Sequence, residues 1–464
     1  MKTRLHLTLI GLLLMWMPTF GQETGSFTLD ECISYALKHN QNLLNSVLDR
    51  QSADARVRQT IADGLPQING TLDLAYNYQI ATTPLPDFIS PSVYWVLFQE
   101  SLLEARDLGE PDIFPAQFGT KYSGSAVISL EQMIFNGSYF VGLKAARTYT
   151  ELSRKDQIKS QIDVVEMVSK AYYTLLVNQE QLELIHKNYN RLNSLLQDTQ
   201  GLYEQGFAEK IDVNRIKVQL NNVTVEKDNI DQLINVSRAL LKFQMGYPQS
   251  EELQIAETID DIMFEEADID QEQTFDYQKR IEFSQLMTNE ELIELDIKNT
   301  NSQYYPEINL YGTLGSSMGA QSSSDLFIFD DNWFGLGVVG LRMNLPIFDG
   351  FRKSNIIQQK RIQAEQMINT KEQLKNSIDV EIMQTKISYK RALDNLVAQK
   401  ENMMLGEEVF NVARIKYEEG VGSSIEVTNA DADYKEAQTN YYNSLYDALV
   451  AKVELQKAYG TLYN

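Results

Sequence analysis

Few side chains in this sequence are suited to chemistry. There is one cysteine, Cys32, and there are three histidines, His6, His39 and His186. A single thiol rules out a disulfide framework and a cysteine-based metal site. Three scattered imidazoles leave little for zinc binding or histidine acid–base work, so no metal or cofactor is expected. Carboxylates are the abundant reactive type: Asp and Glu number 64 against 41 Lys and Arg, a formal charge of −23. Phosphate needs a basic face, so this balance argues against nucleic acid as a partner. Acids do general acid–base work only in a cleft that perturbs them, and here no nucleophile motif or phosphate-binding glycine loop accompanies them. The chain reads as a non-enzyme. Two acids stand out by position: Asp212 follows Tyr203-x-x-Gly206, and Glu426 follows Tyr417-x-x-Gly420.

The elements that position these acids are written in the prolines. Six of the ten prolines fall within residues 66–115, while 116–247 and 347–464 contain none. Proline in a helix interior costs about 3 kcal/mol, so tracts free of it permit very long helices. Within them apolar residues recur at steps of three and four, as in Ile158, Ile162, Val165, Tyr172 and Leu175, and again in Ile368, Leu374, Ile378 and Ile382. Lys, Glu, Gln and Asn fill the faces between, the pattern of packed, coiled-coil-like amphipathic helices. A helix over 138–200 would run about 95 Å. Gly206 and Gly420 sit where two antiparallel helices must reverse tightly, in the positive φ that glycine tolerates. An acid in the first turn of the following helix complements its dipole.

The first residues look like an address. Lys2 and Arg4 precede an apolar run from Leu7 to Trp16 and small residues before Gln22, which reads as a secretory signal peptide over residues 1–21. The run is too short to span a bilayer as a helix, and no other run is long enough. Any membrane span in the mature chain must be a β-barrel. No lipobox precedes Cys32, so it is expected as a buried or half-buried free thiol.

The chain also repeats itself. LPQIN at 65–69 recurs as YPEIN at 305–309, IFNG at 134–137 as IFDG at 347–350, and LYEQGFAEKIDV at 202–213 as KYEEGVGSSIEV at 416–427. Gly246 pairs with Gly460. The offset falls from 240 to 213–214, which places about 27 extra residues in the first copy between its two strand-like segments. Each copy reads helix, strand, loop, strand, long helix, glycine turn, helix. The first copy covers 22–248, with strands over about 66–80 and 118–135 and a helical hairpin over 138–246. The second covers 277–464, with strands over about 306–318 and 332–347 and a hairpin over 350–460. First helices are expected over 28–63 and 277–303, the earlier one opened by a Thr28/Glu31 capping box. An acidic connector, 249–276, is expected between the copies.

The strands have two faces. In the first, Leu72, Leu74 and Tyr76 alternate with Asn69 and Asp73; in the last, Leu341 and Met343 alternate with Arg342 and Asn344. Such alternation with aromatic tips fits an outer-membrane barrel, the first set facing lipid and the second the lumen. It equally fits a half-buried water-soluble sheet. Four strands cannot close a pore, so in a membrane several chains must share one barrel. The loop 81–117 is rich in proline and aromatic residues, and residues 92–108 are expected to hold a short amphipathic helix.

The duplicated order, the LPQIN and YPEIN strand entries, the IFNG and IFDG exits and the paired Tyr-x-x-Gly turns resemble the outer membrane factor family, the TolC-like channels of tripartite efflux and type I secretion. The resemblance covers essentially the whole mature chain. It implies a mainly α fold with a membrane β portion: a homotrimer in which three chains give four strands each to a twelve-stranded barrel, continued by a long α-helical tunnel. It implies location in the outer membrane with a large periplasmic portion. The implied function is a passive exit duct, with efflux or porin activity, for small molecules or proteins delivered by an inner-membrane pump and a periplasmic adaptor (membrane fusion) protein. In the family the hairpin tips, here Tyr203, Gly206, Tyr417 and Gly420, form the periplasmic entrance and touch the adaptor, and Asp212 and Glu426 fall on entrance acids. The tyrosines are expected to pack across the helix pair below each turn. A further family acid falls on Asn429 and an entrance Arg on Gly422, where this chain departs from the pattern. The competing reading is a periplasmic coiled-coil scaffold without a pore.

Overall fold

The computed structural model describes residues 26–107, 109–110, 112–259, 264, 275–328 and 332–463. The expected signal peptide and much of the acidic connector lie outside the described residues. The chain is predominantly helical and divides into two compact units.

One unit comprises residues up to Asp54, Thr148–Leu292 and Gln363–Asn464. It opens with β1 (Ser26–Phe27), α1 (Leu29–His39) and the part of α2 (Gln41–Asp63) that runs to Asp54. The capping box is present: the Glu31 N–H donates to Thr28 Oγ1 at 3.3 Å, and the Thr28 N–H to Glu31 Oε2 at 2.8 Å. The helix expected over 28–63 is broken at Asn40. Its amide donates to the Gln244 carbonyl at 2.7 Å, and its Oδ1 accepts the N–H groups of Asn42 and Leu43. Asparagine thus ends one helix and starts the next. The proline-free tracts form α4 (Gly137–Glu204) and α5 (Lys210–Met245), then α7 (Arg352–Glu418) and α8 (Ser424–Ala458). The 68 residues of α4 give a contour of about 100 Å. A short β6 (Gln254–Ile255) pairs in parallel with β1. The helix expected over 277–303 is a 3₁₀ turn at Tyr277–Lys279 followed by α6 (Ile281–Ser302). The core is made where the helices' apolar stripes meet, around Tyr172, Leu175, Leu241, Met245, Leu445 and Leu449.

The two copies close this unit in the same way. Gly246 and Gly460 end α5 and α8 with φ of 70° and 68°. A Cβ at Gly246 would strike the carbonyl of His39, and one at Gly460 the carbonyl of Lys279. At both repeat offsets these are equivalent positions. Asn40, bonded to the Gln244 carbonyl, likewise corresponds to Arg280, whose Nη1 donates to the Ala458 carbonyl at 3.0 Å. The junction is conserved in geometry while the side chain making it has changed.

The other unit comprises Ala55–Arg147 and Ile293–Ile362. Its main sheet is antiparallel, in the order β2 (Gln67–Tyr76), β5 (Tyr122–Phe135), β7 (Glu307–Ala320), β8 (Trp333–Asn344). The first strand stops at Tyr76 rather than about 80, and the second begins at Tyr122 rather than 118. The loop 81–117 holds two further strands, β3 (Thr82–Pro86) and β4 (Ile113–Gln117), paired as a ribbon. Their prolines suppressed the strand signal; at a ribbon edge proline is tolerated. Between them lies α3 at Ile89–Gln99, earlier than the expected 92–108 because Asp87 Oδ1 accepts the N–H groups of Ile89 and Ser90 and sets the start.

Candidate functional site

Two regions gather the residues singled out above. The first is the pair of helical reversals. After α4 the Phe207 N–H returns to the Leu202 carbonyl at 2.8 Å and the Gly206 N–H to Tyr203 at 3.0 Å. After α7 the Val421 N–H returns to Lys416 at 2.9 Å and the Gly420 N–H to Tyr417 at 3.0 Å. Both are Schellman closures, and both glycines are left-handed, at φ 83° and 75°. The repeat therefore reads the same at both tips. Its tyrosines do not: Tyr417 is buried at 8% exposure, packed with Val427 and Ala430, while Tyr203 is 42% exposed. The expectation that both tyrosines pack beneath their turns is corrected for Tyr203.

The two acids also differ in their surroundings. Asp212 accepts the Glu209 N–H at 3.1 Å, capping α5. It also receives the Ser424 hydroxyl from the start of α8, and it lies 3.6 Å from Arg215. Arg215 donates to the same Ser424 oxygen at 3.0 Å, and Gln219 reaches the Thr428 carbonyl at 3.3 Å. Asp212 thus joins the first hairpin to the second. Glu426 is exposed; its N–H donates to the Ser423 hydroxyl at 3.3 Å, which caps α8. Ser424 and Arg215 carry no signal in sequence, since neither recurs in the other copy and their meeting depends on α5 lying beside α8. Around them, Phe207 and Val421 are each 79% exposed. Each tip therefore presents an apolar knob on a polar rim.

Below the tips, Arg191 sits 4.2 Å over the Phe410 ring and 5.1 Å over Tyr434, and it donates to Asn188 at 2.8 Å. Lys435 pairs with the buried Asp431 at 2.8 Å. Farther along, Lys457 bonds Glu166 at 2.6 Å, and Lys170 bridges Glu166 and Glu454 at 2.9 Å each. Burial raises the Glu166 carboxyl, but hydrogen bonds from Lys457 and Lys170 outweigh it and hold the group below its ordinary range.

The second region is the main sheet. Residues directly opposite on neighbouring strands share a face. The register sets Leu72 against Ala126, Leu74 against Gly124 and Tyr76 against Tyr122. It sets Leu310 against Leu341 and Ile308 against Met343. Leu72, Leu74, Tyr76, Leu341 and Met343 therefore lie on one face. Asn69 faces Ser129, Asp73 faces Ser125, and Arg342 and Asn344 face Asn309 and Glu307, which puts Asn69, Asp73, Arg342 and Asn344 on the other. Arg342 stands 5.0 Å over the Tyr311 ring, which itself covers Gly340. The polar face is interrupted on β8 by Phe334, Leu336 and Val338. Leu72 and Leu341 are 70% and 69% exposed while Met318 is buried, so among the described residues the apolar face is covered at its middle and largely bare toward its edges. At the edges, β2 and β8 each have one pairing partner in the sheet. Among the described residues no group of acids, histidines or cysteine is placed to hold a metal ion, and no helix is long and apolar enough to cross a membrane.

A family model described as outer membrane efflux protein matches residues 32–246 and 282–461, one segment in each copy of the repeat. The outer membrane protein TolC of Salmonella enteritidis is 19% identical over 470 residues, covering 98% of this chain and 85% of that protein. The outer membrane protein VceC of Vibrio cholerae superposes with a TM-score of 0.66 at 16% identity, over 93% of this chain and 96% of the other. The CmeC outer membrane channel of Campylobacter jejuni gives 0.69 at 14% identity, over 94% and 86%. At such identities the structural likeness is one of fold.

Proposed function

The chain belongs to the outer membrane efflux protein family, and from that premise we propose that it is the outer-membrane duct of a tripartite efflux or type I secretion system. Three copies contribute β2, β5, β7 and β8 each to one twelve-stranded barrel, and the helical hairpins build a periplasmic tunnel. The observation that carries this reading is the sheet itself. One face is apolar and largely bare, the opposite face is largely polar, and among the described residues both edge strands lack an outer partner. Open edges are not tolerated in hydrocarbon, so a membrane sheet of four strands closes only with other copies. Leu72, Leu74, Tyr76, Leu341 and Met343 then face lipid, and Asn69, Asp73, Arg342 and Asn344 line the lumen. The tips around Gly206 and Gly420 receive the periplasmic adaptor, with Phe207 and Val421 as knobs, and Glu426 stands at the entrance. The duct does no chemistry; cargo moves under the drive of an inner-membrane pump.

The test is assembly and conduction. The detergent-extracted protein should be a trimer by native mass spectrometry and should conduct ions in planar bilayers. A monomer that keeps its fold and fractionates with soluble periplasmic proteins would instead favour a coiled-coil scaffold. That alternative leaves the largely bare apolar face without an explanation.

A further inference from the structure

The apolar face of the sheet is uneven. The register lines up Leu72, Ala126, Ser316 and Gly335 across the four strands, so three small residues follow one large one. The next row runs Leu74, Gly124, Met318, Trp333. Leu72 and Leu74 at one edge and Trp333 at the other stand above a trough floored by Ala126 and Ser316, with Met318 buried beside it. The chain after β7 folds back over it as a 3₁₀ turn, Ser323–Phe327. Two bonds pin that turn: the Asn332 amide donates to the Asp325 carbonyl at 3.1 Å, and Trp333 Nε1 donates to the Leu326 carbonyl at 3.2 Å. Leu326 and Phe327 thereby wall the trough with Trp333, opposite Leu72 and Leu74, around a volume of about 570 Å³. Among the described residues no ionisable side chain lines it, and Ser316 is the one lining hydroxyl.

We propose that this groove binds a lipid acyl chain, with the hydrocarbon lying between Leu72 and Leu74 on one side and Phe327 and Trp333 on the other. The inference rests on the reading above that this face meets the bilayer. Its volume falls in the usual range for small-molecule sites, about 300–1,000 Å³. Against the apolar described lining, a head group, a sugar or an ionised cargo would lose its hydration without compensation. A methylene chain loses nothing of that kind and gains dispersion contacts on several sides, where a flat barrel wall offers one. The indole, its N–H already bonded to Leu326, presents its ring to the groove as a fixed wall.

The sequence contains three tryptophans, Trp16, Trp95 and Trp333. In the mature protein carrying Trp95→Phe, Trp333 is the sole emitter. Reconstituted in phosphatidylcholine vesicles brominated at mid-chain, it should lose most of its emission relative to unbrominated vesicles, and aqueous iodide should quench it little. Ser316→Phe fills the trough and Leu326→Ala with Phe327→Ala removes its wall. Either change should return quenching toward that of ordinary annular contact and lower the number of lipids retained by the trimer in native mass spectrometry. Equal quenching and equal lipid retention in wild type and both variants would overturn the groove while leaving the face lipid-facing. Quenching by iodide and not by brominated lipid would mean the face meets water, and the reading of the sheet would fail with the proposal. Quenching by neither would mean a second copy or a cargo fills the trough, which overturns the proposal alone.

Discussion

Asp212 and Glu426 occupy the same place in the two repeats and do different work. Asp212 caps its own helix, receives Ser424 and neighbours Arg215, whereas Glu426 is exposed with only its N–H engaged in the cap. Asp212→Ala should therefore cost about 1.5–3 kcal/mol, the range for hydrogen bonds to a charged group, read as a lower urea midpoint, and should barely change ion selectivity. Glu426→Ala should leave stability near wild type and lower the potassium-over-chloride permeability ratio in bilayers, because like acids at a constriction concentrate cations. A ratio unmoved by Glu426→Ala would remove that acid from the entrance. Cys32 offers a second check. Burial pushes its thiol up to about 12, with Glu257 and Glu31 adding to the effect. Since the thiolate is the nucleophile, alkylating reagents should leave the native protein unlabelled near neutral pH and label it fully once unfolded.

At the scale of elements the tests fall on turns, helix pairs and the sheet. Gly420 holds a left-handed φ of 75° with open space around it, so Gly420→Val suffers backbone strain of about 1–2 kcal/mol rather than a clash. The trimer should still reach the membrane while adaptor docking and resistance to a pump substrate fall. The Glu166, Lys170 and Lys457 ladder ties α4 to α8 and gives a pH window. The Glu166 carboxyl is lowered, so its contribution is present above the unfolded value and lost as pH falls through the folded one. Lys170 and Lys457 are raised despite burial, by their hydrogen bonds to the acids; their contribution is lost as pH rises through the folded values. With unfolded references of about 4.3 for Glu and about 10.4 for Lys, the ladder's stabilisation should be complete between these limits. Lys457→Met should flatten both edges of the urea midpoint against pH. In the sheet, Leu72→Arg should cost about 2–4 kcal/mol if it lies near the bilayer midplane, whereas Asn69→Arg should assemble normally. Equal assembly defects would mean the two faces are not lipid and lumen.

For the whole molecule the decisive quantity is closure. In the proposed duct, a sheet with a largely bare apolar face and two half-paired edges is completed by other copies of the same chain. Trimer formation should thus precede stable membrane residence. Blocking edge pairing with Leu74→Pro on β2 should yield protein that is degraded rather than stored as monomer, as seen by pulse-chase in cells. Accumulation of a stable, folded monomer would show that the sheet does not need partners.

Much of this was legible in the residues. Proline-free tracts with three-and-four periodicity point to long helices, glycine after Tyr-x-x to a reversal, and alternation across 67–80 and 118–131 to two-faced strands, because each is a local consequence of backbone sterics and side-chain period. The same locality explains what was missed. The β3–β4 ribbon hides behind prolines that only an edge position makes harmless. The break at Asn40 needs the Gln244 carbonyl, which is distant in sequence. The unequal fates of Tyr203 and Tyr417, and of Asp212 and Glu426, cannot be seen in a repeat that writes them alike. They were decided by packing: α8 of the second copy lies beside α5 of the first, so one acid finds a serine and an arginine and the other finds solvent.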